Sequence, residues 1–150
     1  MGRKGSLLGK GLMAALGYSA VNAILMGARE AQVMEEMEKH QGENNMMHSN
    51  MLLKNEINID SRTNNAFISC FSSGAVINVE EPDSKELYID LFALCGKVTI
   101  RLPKGAKIEY LGKGQAERIS DKRKAEEVES RYTVRIKRND MLASLIIENV

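Results

Sequence analysis

Ser73-Gly74-Ala75-Val76-Ile77-Asn78-Val79 and Gly96-Lys97-Val98-Thr99-Ile100-Arg101-Leu102 decide how this chain is read. The two blocks are offset by 23 residues, and the alternating positions Ala75, Ile77 and Val79 fall on Val98, Ile100 and Leu102. A period of two sends successive side chains to opposite faces, so each block buries one apolar row and leaves the other row in water. Each block ends shortly before a proline, Pro82 or Pro103, which has no N–H to give to a ladder and suits a strand leaving a sheet. A poorer third copy lies at Leu142-Ala143-Ser144-Leu145-Ile146-Ile147-Glu148. Self-similarity at this period predicts stacked coils, each burying its apolar row against the next, with Gly74 and Gly96 at the repeated turns. The same alternation also fits a β-sandwich, which is the rival fold.

The period of two extends outward from these blocks. Glu56-Ile57-Asn58-Ile59-Asp60, Ala66 to Phe71 after an Asn-Asn turn, Leu87/Ile89/Leu91, Arg131 to Lys137 and Leu145 to Ile147 all carry it. Together they predict about seven or eight strands over 56–150. The charged run 121–129 is the one helix candidate among them. The expected core is Ile77, Val79, Ile89, Leu91, Val98, Ile100 and Leu102.

Before residue 55 the chain has a different character. Arg3, Lys4 and Lys10 precede an uncharged stretch, residues 11–28, at the lower edge of what spans a bilayer as a helix. Gly11, Ala15, Ser19, Ala23, Gly27 and Ala31 recur every four residues, a spacing that lets a second helix approach closely in lipid. A soluble helix with an Ala-rich packing face and a secretory signal peptide are the other readings of this segment. Met1-Gly2 with Ser6 also matches the myristoylation pattern. Residues 29–40 continue as a charged helix, so 1–40 reads as one helical segment and a membrane anchor. Residues 41–55 read as a linker, with Met46, Met47 and Met51 available for docking, ahead of a β domain over 56–150.

Composition limits the chemistry. Twenty-one Lys and Arg against twenty Asp and Glu leave a formal charge of +1 over 150 residues, without the cationic surplus that phosphate backbones demand, so no nucleic-acid partner is expected. His40 and His48 are the only histidines, and neither their spacing nor that of the nearby glutamates matches a metal site. Gly112-Lys113-Gly114 fits neither the Walker pattern nor the dinucleotide fingerprint. Cys70 and Cys95 precede equivalent turns, so stacking brings them near one another, as a disulfide in an oxidising space or as two buried thiols. Arg135, Lys137 and Lys107 are candidates for lipid headgroups if the domain is held at a membrane. No catalytic residue, cofactor or metal is expected, and the partners expected are a membrane and another protein or a second copy.

The repeat blocks also resemble a family. Cys70-Phe71-Ser72-Ser73-Gly74-Ala75-Val76-Ile77-Asn78-Val79 is similar to the phenylalanine–glycine–glycine–strand unit of LiaF-like domains, the C-terminal domain of bacterial cell-wall-active antibiotics response proteins. Leu87 through Gly105 resembles the second unit with its proline-plus-glycine exit, and Ser120-Asp121-Lys122-Arg123 the polar segment after the next coil. The resemblance covers about residues 56–149. It implies a short, right-handed, single-stranded β-helix and a non-enzymatic role through protein contacts in envelope stress. Members of the family carry several membrane helices, whereas this chain has at most one, and the double glycines are reduced to Ser73-Gly74, Cys95-Gly96 and Ala143-Ser144. The alternative role is a self-assembling structural protein, in the manner of the bactofilins.

Overall fold

The structure, a computed structural model, describes residues 23–50, 55–71, 74–94, 96–111, 118–123, 129–139 and 143–150. The chain divides into two compact units, Met1–Lys39 and His40–Val150. In the first, helix α1 covers the described residues 23–39. Lys39 closes on Glu35 and Glu36 at 3.5 and 3.1 Å, four and three residues away, the spacings at which side chains on one helix face meet. Most of the apolar run 11–28 lies outside the described residues, among which no helix is long and apolar enough to cross a membrane.

The second unit is built from strands. In chain order they are β1 (Asn45–Asn50), β2 (Asn55–Ile59), β3 (Asn65–Cys70), β4 (Ala75–Val79) and β5 (Glu86–Ala93). β6 (Lys97–Leu102), β7 (Ala106–Leu111), β8 (Ile119–Asp121), β9 (Tyr132–Arg138) and β10 (Ser144–Asn149) follow. Odd-numbered strands form one five-stranded sheet and even-numbered strands the other. Every pairing is parallel, unlike the antiparallel sandwich that was the rival fold. Consecutive strands lie in alternate sheets, so β1–β2, β3–β4 and so on each make one rung, and the two sheets enclose a single aliphatic core.

The register follows the repeat. Ala75 pairs with Val98 and Ile77 with Ile100, as the 23-residue offset requires. Extended through the neighbouring strands, this row becomes a column of isoleucines, Ile57–Ile77–Ile100–Ile147, that ends at Asp121. All seven expected core residues are buried, as are the inward residues Leu87, Val134, Ile136 and Leu145. Each such side chain, withdrawn from water, contributes about 1.5–3 kcal/mol to the burial term. In the second sheet burial alternates strictly along β4 and β6, whereas β3 is buried at all six positions. Phe67 and Asp90, on the outward rows of β3 and β5, are fully buried, and Asp90 accepts a hydrogen bond from Asn139 at 3.0 Å.

The rungs do not stack in chain order. The sheets run β1-β3-β5-β9-β7 and β2-β4-β6-β10-β8, so the last rung, β9–β10, sits between the third and the fourth. Leu87 and Ile108 are both register partners of Val134, on its two sides. Arg135 pairs across the same strand with Glu86 at 3.7 Å and Glu109 at 3.1 Å. Gly105 receives the inserted rung: its carbonyl accepts from the N–H of Arg131 at 2.8 Å, and its φ of 93° is costly for any side chain. A Cβ there would lie 2.9 Å from Arg131 Nε. Gly105→Ala should therefore lose about 1–2 kcal/mol from backbone strain alone, read as a lower denaturant midpoint at unchanged slope.

Three strands lie where the sequence pattern indicates none. β1 falls within the segment read as a linker, because Asn, Met and Ser are weak strand formers and its pairing depends on β3. β7 packs only Ala106 and Ile108 partly against the core, with Tyr110 on the same row exposed, and β8 is only three residues long. Asp121, where the helix candidate 121–129 begins, is the last residue of β8; residues 124–128 lie outside the described set.

Candidate functional site

Two features of the His40–Val150 unit have the exposure and geometry of a site: a polar cleft beside the first turns and the outer side of the fourth rung. The cleft encloses about 400 Å³ between His40, Glu43, Asn65, Tyr88 and Arg135. Gly42, at φ 85°, turns the chain into it. Its wall is an asparagine ladder set by the parallel register of β1 and β3, which places Asn45 beside Asn65. Asn65 Nδ2 donates to Asn45 Oδ1 at 2.9 Å and to the Glu43 carboxylate, while Asn64 Oδ1 accepts from the Asn44 N–H at 3.0 Å. A second ladder joins Asn78 to Asn58 and Glu56 across β2 and β4. These amides satisfy one another and hold the turns of successive rungs in line.

His40 Nδ1 stands 3.4 Å from Glu43 Oε2, and its ring lies 6.0 Å from that of Tyr88. The amide of Asn65, and secondarily the imidazole of His40, hold the Glu43 carboxyl below its ordinary range. Glu43 is therefore an ionised acceptor at neutral pH. A general acid needs the opposite shift, from burial or a neighbouring anion. Among the described residues no group of three or more His, Cys, Asp or Glu is placed to hold a metal ion. The cleft offers hydrogen-bond acceptors, one imidazole and an aromatic edge, a surface for polar contact.

The other feature is the end of the stack. Among the described strands β7 pairs with β9 alone, and its Tyr110 and Leu111 are 43% and 39% exposed. Asp121 and Arg123 close the core at this end. Arg123 Nε and Nη2 fork onto the Asp121 carboxylate at 3.0 and 2.8 Å, and Nη1 donates to the Ala106 carbonyl at 2.7 Å. Hydrogen bonds from Arg123 hold the Asp121 carboxyl below its ordinary value. A carboxyl lowered by folding stabilises the fold above its unfolded pKa and ceases to do so as pH falls through the folded one. The melting-temperature advantage of the wild type over Asp121→Asn should accordingly be full above about pH 4 and disappear on acidification below it. An advantage that persisted unchanged to the acid limit would show that the fork does not depend on charge.

The residues singled out in the sequence divide among these places. Gly74 and Gly96 occupy equivalent rung turns: their carbonyls accept from Asn55 at 3.4 Å and Ser144 at 2.9 Å, and Gly96 takes φ 102°. Ala23 and Gly27 are exposed on α1, while Gly11, Ala15 and Ser19 lie outside the described residues. So do Met51, Gly112-Lys113-Gly114 and Cys95, and with Cys95 the question of its pairing. Cys70 is buried, which pushes its thiol up to about 11. Arg135 and Lys107, read as lipid-facing cations, both reach Glu109 at 3.1 Å. Met47 is 56% exposed on β1. The Asn44/Asn64 and Asn45/Asn65 pairs were legible as a 20-residue repeat of Asn-Asn, the same offset that joins β1 to β3.

The fold and its surfaces thus define a protein of two parallel sheets built on a rung repeat, with polar turns. Set against known proteins, the chain matches no family model, no curated protein and no solved structure.

Proposed function

We propose that residues 40–150 form a short right-handed β-helix and that the protein is a non-enzymatic contact module, held at a bacterial membrane by its N-terminal segment and acting through another protein in the response to envelope stress. The observation that supports this best is the rung register: Ile77 lies on Ile100 at the offset of the repeat blocks that resemble LiaF-like domains. The polar cleft and the exposed Met47 give such a module surfaces for contact. The exposed strip of Ala23 and Gly27 continues the small-residue spacing expected to carry helix association in lipid.

Carbonate washing of membranes tests the anchor. The full chain should remain in the pellet, and a chain lacking residues 1–28 should move to the supernatant with its β signature in circular dichroism intact. Full-length protein in the supernatant would remove the membrane from the proposal. Photo-crosslinking from Met47 in living cells, with and without a cell-wall-active antibiotic, tests the stress role, which requires the crosslinked pattern to change with the drug. The second reading, self-assembly, is favoured by one observation, the exposed Tyr110 and Leu111 of β7, which among the described strands pairs with β9 alone.

A further inference from the structure

We infer that the cleft at His40, Glu43, Asn65, Tyr88 and Arg135 is a saccharide-binding site that takes the hydroxyls of a short oligosaccharide laid across the strands. The inference goes beyond the protein-contact reading and does not depend on it. The site follows from the register. Asn65, Tyr88 and Arg135 are successive pairing partners on β3, β5 and β9, so they stand about 4.8 Å apart on one outward row. His40 and Glu43, on either side of the Gly42 turn, line the cleft with them. Its volume of about 400 Å³ is that of a small-molecule site.

The hydrogen-bonding capacity left open there specifies the ligand. Asn65 is only 3% exposed, and its amide nitrogen donates to both Glu43 and Asn45, which leaves its carbonyl oxygen as an acceptor. Asn64 spends its oxygen on the Asn44 N–H and keeps its amide hydrogens. His40 turns Nδ1 to Glu43, leaving Nε2, and Glu43 makes both its contacts through Oε2, leaving Oε1. Among the described residues no hydrogen bond reaches any of these four groups. Donors and acceptors therefore share one small cavity, each held in place by another bond of its own side chain. A hydroxyl both donates and accepts, and a sugar carries several on neighbouring carbons, with C–H faces that suit an aromatic ring. Tyr88 supplies the ring, set between His40 at 6.0 Å and Phe67 at 6.3 Å.

Other classes of ligand find less. A peptide added as a strand needs an unpaired backbone edge, but β3, β5 and β9 each lie between two strands of their sheet. An anion finds Arg135 already between Glu86 and Glu109, and a cation finds Glu43 already held by Asn65 and His40. An apolar ligand finds, among the described lining, only Leu87 and the Tyr88 ring.

The test applies the full chain, in a zwitterionic detergent without sugar headgroups, to an array of immobilised oligosaccharides. These are built from glucose, galactose, mannose, N-acetylglucosamine and glucuronic acid, and at least one should retain the protein. Tyr88→Ala and Glu43→Ala should each weaken titrated binding of the best of them at least about tenfold. Arg101→Ala, on the outward row of the other sheet, should leave it unchanged. Circular dichroism of each variant establishes that it is folded. Should a cleft variant fail to fold, a nuclear magnetic resonance titration of the wild type gives the answer: the amide signals of Asn64, Asn65 and Tyr88 should shift, and those of β10 should not. An array that retains nothing, binding indifferent to either cleft variant, or shifts confined to residues outside the cleft would each overturn the inference. So would tighter binding of tetraalanine or of 1,4-diaminobutane than of any sugar.

Discussion

A chain carrying Ile136→Asp is expected to keep its first three rungs and lose its last two. Ile136 is fully buried at the centre of β9, with Ile89 beside it on one side and Tyr110 on the other. A carboxylate there has neither water nor a cation on the inward row, a loss well beyond the 2–5 kcal/mol of an apolar truncation. Whole domains are stable by only about 5–15 kcal/mol, so the inserted rung cannot remain seated. Because β7 and β8 pair, among the described strands, only with β9 and β10, they should go with it. Hydrogen exchange should show amide protection abolished over β7 to β10 and retained over β2 to β5. The contrary result would be β7 still protected. That would mean the fourth rung can pair directly with the third, setting Leu87 against Ile108, and the insertion would be optional.

The second large effect is expected in the isoleucine column. Ile77 and Ile100 are fully buried register neighbours, and each stands between two further isoleucines or their equivalents along the stack. Ile77→Ala and Ile100→Ala should each cost about 2–5 kcal/mol, the lost transfer energy plus the cavity left behind. The double variant should depart from the sum by about 0.5–3 kcal/mol, because the two cavities merge in one row and neighbouring rungs relax together. Denaturant unfolding of the four proteins at equal slope measures the coupling. Strict additivity would mean that the two side chains do not share a packing environment, and the stacked register would not describe the protein in solution.

Much of the fold was legible because a stacked rung writes itself into the chain at a fixed period. The 23-residue offset returned the partner of every residue from Ala75 to Asn78, and the prolines marked where β4 and β6 leave their sheet. β1 was hidden for a physical reason: its Asn, Met, His and Ser carry little intrinsic strand preference, and the asparagine ladder that secures it is a contact between residues 20 apart. Of the cleft, His40 and Glu43 were visible as polar residues in a linker. Their company with Tyr88 and Arg135 was not, since those side chains arrive from the third and fifth rungs. Arg123 read as one cation in a mixed-charge run, and its work as the cap on Asp121 depends on where β8 ends.

By itself the sequence determined the face and the period: alternation fixed which residues turn inward, and the repeat fixed which of them lie on one another in the middle of the stack. Only the tertiary structure decided the order of the rungs, with β9 and β10 passing between rungs that precede them in the chain. An inward row of Val134, Ile136 and Leu145 can be covered by any neighbouring apolar row, so local pattern leaves its partners free. The choice is made by contacts far apart in the chain. Val134 fills the space between Leu87 and Ile108, Arg135 reaches glutamates on both sides, and Gly105 clears the way for Arg131.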